Sequence, residues 1–134
     1  NSRIAQFLRK MAEAKVPTND QITQCWDVLA GFYQEKMEKC SNLTEVNLQF
    51  MSELHSAKSV IVPGAGPGLG ALQVRNQIAE VAKLYSGDIS EEMVRMNKDL
   101  FSKNGLTFNC EGANTTIQVM DNQQLPLESE SCDR

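Results

Sequence analysis

The stretch that most constrains this chain is Thr18 to Cys40, TNDQITQCWDVLAGFYQEKMEKC, which reads as one long amphipathic helix. It carries two of the four cysteines and the only tryptophan. Pro17 ends whatever precedes it, because a proline ring cannot continue a helix. Thr18 and Gln21 stand at capping-box spacing, and Asp20 adds a negative charge where the helix dipole favours one. Ile22, Cys25, Trp26, Leu29, Phe32, Tyr33, Met37 and Cys40 then recur in steps of three and four, marking one face. Gly31 weakens the run by roughly 1 kcal/mol relative to alanine. The aromatic side chains on this face mark it as the central core helix.

The rod has a geometric consequence for its thiols. At about 1.5 Å rise per residue, Cys25 and Cys40 are roughly 22 Å apart along the axis. A disulfide requires a Cα separation of about 4.4–6.8 Å, so the two cannot join each other. Each is expected to reach Cys110 or Cys132. No close cysteine pair suggests a zinc site. Two disulfides in an oxidising compartment are therefore preferred over free cytosolic thiols. The sequons at Asn42 and Asn114 agree with secretion and are candidate glycosylation sites. The N-terminus reads as a mature or trimmed end.

Ahead of Pro17, Ser2 to Lys15 repeats apolar residues at helical spacing, with Arg3, Arg9, Lys10 and Lys15 against one acid, Glu13. That face is either simply solvated or a basic patch for an acidic partner. Beyond Cys40, a break near Ser41 and a fresh start at Asn42 lead into a third helical stripe through Leu54. His55, the only histidine, reads as a surface residue rather than a catalytic or metal-binding one.

Val60 to Gly70, VIVPGAGPGLG, holds half of the chain's eight glycines. Gly66, Gly68 and Ala71 match a loose dinucleotide fingerprint. Val60–Val62 would be its strand, and Asp88 follows about twenty residues on. Against that, the preceding sixty residues read as helices, so no strand–helix alternation leads into it. Pro67 occupies a turn that needs freedom, and no GK[ST] follows. The expectation is a mobile connector over 63–70.

Ala71 to Tyr85 reads as a further helix stopped by Ser86–Gly87. Ser90 caps the next one, which ends at Asn104–Gly105. Leu106, Phe108 and Cys110, then Thr115, Ile117 and Val119, alternate in the manner of a short β-hairpin or two extended arms. Residues 121–134 form a polar tail, disordered by composition unless Cys132 pins it.

A net charge of −4 argues against nucleic-acid binding, and no apolar run is long enough to span a membrane. No nucleophile elbow, HExxH motif or Ser/His/Asp set is present, and Glu91–Glu92 serves a helix N-terminus. The chain is therefore expected not to be an enzyme and to need no cofactor. The fold expected is all-α: one helical domain over 1–134, about five antiparallel helices with a short hairpin arm. Alternating helix directions put Cys25 with Cys110 and Cys40 with Cys132. The long connector interrupts that count.

The size, helical content, four cysteines and mature-looking N-terminus resemble small disulfide-bonded salivary proteins of blood-feeding mosquitoes, the anophensin and albicin group. That resemblance implies a secreted inhibitor of a host plasma cascade such as complement or contact activation. It assigns no functional residue. The expected partner is an extracellular protein. The candidate interaction surface comprises Arg3, Arg9 and Lys10 with Gly66, Pro67 and Gly68. Two other readings are a carrier of a small hydrophobic ligand, with methionines lining its cavity, and a helical signalling ligand.

Overall fold

A computed structural model of the chain describes Gln6, Arg9, 17–39 and 53–134. The long helix is present as α1, Asn19–Lys39. Its start is a reciprocal capping box. The Thr18 amide donates to Gln21 Oε1 at 2.9 Å, and the Gln21 amide donates to Thr18 Oγ1 at 3.3 Å. The break expected near Ser41 and the sequon Asn42 lie outside the described residues, as do Arg3 and Lys10.

After a short 3₁₀ turn at Leu54–Ser56, the chain is not all-α. It alternates β1 (Ser59–Pro63), α2 (Leu69–Gln77), β2 (Lys83–Asp88), α3 (Glu91–Lys103) and β3 (Thr115–Val119). The strands form a parallel sheet in the order β1-β2-β3, with Val60 opposite Leu84 and Ser86 opposite Ile117. Parallel neighbours need long crossovers, and α2 and α3 supply them. The five-helix bundle expected from periodicity is thereby corrected to an α/β architecture.

Two sequence readings fail for identifiable reasons. Ala71 to Tyr85 was expected to be one helix. It is helical only to Gln77, and Lys83 to Asp88 is the central strand, with Leu84, Ser86, Gly87 and Asp88 all buried. A strand buried on both faces loses the alternation that would announce it. Thr115–Val119 is a strand, but it pairs parallel with β2 instead of forming a hairpin with 106–110. Leu106 and Phe108 pack against the core instead, and Phe108 meets Phe101 edge to face at 6.4 Å.

The main core lies between sheet and helices: Val60, Leu84 and Ile117 from the strands, Ala71 and Val74 from α2, and Val94 and Phe101 from α3. Helix α3 begins as expected. Ser90 is its N-cap, with Oγ accepting from the Met93 amide at 3.1 Å, and Glu91 and Glu92 fill the first turn.

The two disulfides are also corrected. Cys25, Cys110 and Cys132 are free thiols, so neither Cys25–Cys110 nor Cys40–Cys132 forms. Cys40 itself lies outside the described residues. The inference of an oxidising compartment rested on those crosslinks and loses that support. Hydrogen bonds, not sulfur, fix the end of the chain. The Asp133 amide donates to Ser59 O at 3.0 Å and the Ile61 amide donates to Arg134 O at 2.9 Å, so 131–134 lie along the free edge of β1. The Asp133 carboxylate accepts from the Lys58 and Ser59 amides at 2.6 and 3.1 Å. Those two bonds hold its pKa below the usual aspartate value.

Candidate functional site

The three strands end at one place. Pro63 leads into Gly64, β2 ends at Asp88, and β3 runs through Met120 to Asp121. In open parallel sheets, ligands bind outside the carboxyl ends of the strands. A cavity of about 310 Å³ lies there, bounded by Gly64, Gly66, Asp88, Ile89, Met93 and 121–123 on the sheet side. Its volume is at the lower end of the roughly 300–1,000 Å³ found for small-molecule sites. The far wall is α1, through Asn19, Ile22, Trp26 and Tyr33.

The glycine-rich segment is an ordered strand–turn–helix, not a mobile connector. Gly64, Gly66 and Gly68 have φ values of 67°, 55° and 96°, a backbone that glycine adopts at little cost. Pro67 is buried within the turn and does not disrupt it. A Cβ on Gly66 would lie 3.6 Å from Tyr33 Cε1, so the turn and α1 come together at this edge of the cavity.

Asp88 locks the turn in place. Its Oδ2 accepts from the Gly66 amide at 2.9 Å and its Oδ1 from the Ser90 amide at 3.0 Å. The residue is 8% exposed, yet each carboxylate oxygen has a second acceptor position to offer a ligand. Asp121 is arranged in a similar way. Oδ2 accepts from Asn19 Nδ2 at 2.7 Å, and Oδ1 accepts from the Gln123 amide at 2.8 Å. Two acidic side chains thus border one cavity with acceptor capacity left over. That set suits a ligand rich in hydroxyl and amine donors. It repels phosphate.

Helix α1 is tied across the site at two points. Asn19 holds Asp121, and Ser90 Oγ donates to the Asp27 carboxylate. One turn beyond the second tie, Ala30 is fully buried against Met93 and Met96.

Of the residues expected to act at a surface, Gly66, Pro67 and Gly68 are buried in the turn, and only Gly66 borders the cavity. Arg9 is exposed, and His55 is exposed on the 3₁₀ turn. Asn114 is exposed, with Nδ2 donating to Glu80 O at 3.1 Å. Sequence reading missed Asp121 and the cavity-facing role of Asn19, Trp26 and Tyr33. It noted Asp88 only by its spacing from the glycines. Among the described residues no cluster of metal-ligating side chains occurs, and no helix is long and apolar enough to cross a membrane.

A family model described as a methyltransferase domain matches residues 61–134. Among solved structures, a methyltransferase from Geobacter sulfurreducens shares 18% identity at a TM-score of 0.47, covering 90% of this chain and 58% of that one. Magnesium protoporphyrin IX methyltransferase (ChlM) from Synechocystis PCC 6803 is similar in two structures, with bound SAM and with bound SAH. The identities are 17% and 19%, each at a TM-score of 0.41, over 93% of this chain and 52% and 49% of those chains. The chain thus spans about half the length of the solved proteins it resembles. Comparison with curated proteins gives no match. The family match overturns the resemblance to mosquito salivary proteins. It also corrects the non-enzymatic readings drawn with it: inhibitor, hydrophobic carrier and signalling ligand.

Proposed function

The chain belongs to the methyltransferase-domain family, and on that premise we propose that its cavity binds S-adenosylmethionine as methyl donor. The observation that carries the proposal is the position of two carboxylates, Asp88 and Asp121, beside a glycine turn at the strand ends. An adenosine moiety presents two ribose hydroxyls and an exocyclic amine, all of which donate hydrogen bonds. The unused acceptor positions of Asp88 and Asp121 are the complement of that donor set. Ile22, Ile89 and Met93 offer apolar surface to the base. The donor set fits the acceptors this cavity presents.

The work of this chain's residues is to bind and orient. The Gly66–Asp88 bond fixes the turn relative to the end of β2, so the sheet side of the site is held before any ligand arrives. Such preorganisation lowers the ordering cost of binding. When bound, the group would supply a methyl carbon to an acceptor's lone pair, with the S–CH₃ bonding electrons left on sulfur as a neutral thioether and the acceptor's proton lost to solvent.

Isothermal titration of the purified chain with S-adenosylmethionine and S-adenosylhomocysteine tests the proposal. Saturable 1:1 binding of either ligand at micromolar concentration is expected. No heat and no thermal stabilisation at millimolar concentration of both would overturn it.

A further inference from the structure

We infer that Trp26 and Tyr33 form an aromatic wall that distinguishes the charged methyl donor from its neutral product. The inference rests on the methyl-donor reading above. Seven residues apart, the two side chains stand about two helical turns from each other on one face of α1. Their rings meet edge to face, with centroids 5.6 Å apart and planes at 79°. Both line the cavity.

Core packing alone does not account for this pair. Where α1 touches α3, Ala30 is fully buried against Met93 at 1% exposure, and Tyr33 packs partly buried on the same cluster. Trp26, by contrast, keeps 37% of its surface open, and Tyr33 is only half-buried. The helix therefore buries its smallest side chain at the contact, rests one side of Tyr33 on its edge, and leaves Trp26 partly open beside the cavity. An edge-to-face pair also leaves ring surface free to meet a ligand.

Position along the helix assigns the part of the ligand involved. Asn19 marks one end of α1's track over the cavity, at Asp121, and Tyr33 marks the other, at Gly66. Fourteen residues of helix span roughly 21 Å, enough for an extended nucleoside with its amino-acid arm. With the exocyclic amine at Asp121, the sulfonium-bearing arm lies toward Gly66 and Tyr33. A sulfonium is a soft, weakly hydrated cation, the kind that aromatic faces attract. The product thioether carries no such charge at sulfur. Loss of the methyl group therefore removes the aromatic contribution and favours release.

The test compares Kd for S-adenosylmethionine and S-adenosylhomocysteine in wild type, Tyr33→Phe, Tyr33→Leu and Trp26→Leu. Binding is read by calorimetry and, where Trp26 is kept, by the fluorescence of this sole tryptophan. Wild type is expected to prefer the charged donor. Tyr33→Leu and Trp26→Leu are each expected to shrink that preference about two- to thirty-fold, leaving product affinity within about twofold. Tyr33→Phe, which keeps the ring face, should retain it. A preference unchanged in both leucine variants, or a parallel loss of both ligands in variants with native circular dichroism, overturns the inference. So does a wild type that binds product as tightly as donor. Failure of wild type to bind either ligand overturns the methyl-donor reading itself.

Discussion

Asn97 lies directly against Gly68: a Cβ built on that glycine would be 2.6 Å from Asn97 Cγ and 3.0 Å from Asn97 Cα. The asparagine is 1% exposed, and its Nδ2 donates to Ser86 Oγ at 2.8 Å, so it has no room to retreat. Gly68 also holds φ 96° as N-cap of α2. Gly68→Ala combines overpacking with backbone strain, each costing about 1–3 kcal/mol. Urea denaturation is expected to show a loss of about 2–5 kcal/mol, and a loss below 0.5 kcal/mol, of order an ordinary surface substitution, would contradict this packing.

Asp88→Asn and Asp121→Asn should each weaken S-adenosylmethionine binding about ten- to a hundredfold, the size of a lost hydrogen bond to a charged group. Asp88→Asn should also lower stability, because Gly66 and Ser90 both donate to that carboxylate. Asp121→Asn, closer to the surface, is expected to change affinity with little change in melting temperature. Calorimetry beside thermal melts separates the two effects.

The chain end at β1 should depend on pH through Asp133. Backbone donors from Lys58 and Ser59 lower its folded pKa. A depressed carboxylate stabilises above its unfolded value, about 3.9, and that contribution is lost as pH falls through the lower folded value. An NMR titration should place the Asp133 midpoint below that of a free aspartate. Asp133→Asn should speed hydrogen exchange at Lys58 and Ser59 at pH 7. A midpoint at the ordinary value would remove the basis for the claim.

Peptide mapping without reductant should find Cys25, Cys110 and Cys132 alkylated, and dithiothreitol should leave the melting temperature unchanged. A Cys25–Cys110 linked peptide would contradict the free thiols described above.

The legible parts of this fold were those with local chemistry. Thr18 with Gln21, and Ser90 before Glu91, announced two helix starts because a cap is written in adjacent residues. The glycine turn has its own signature too, but the strand–helix alternation that gives it meaning comes after it, not before it. Lys83–Asp88 gave no period-two signal, since burial on both faces removes the polar half of the pattern. Trp26 and Tyr33 looked like core because helical periodicity reports a shared face, not what that face meets. Asp121 had no motif around it. Only the convergence of three strand ends brings it beside Asp88.

One wall of the chamber belongs to α1, and α1 ends at Lys39, well before the matched segment begins at residue 61. The part that declares the family and the part that walls the cavity are therefore separable in sequence. A fragment trimmed to the recognisable half would keep its acidic floor and its glycine turn while losing its ceiling. Selectivity between ligands that share a nucleoside would then be written mostly in residues that no family signature reads.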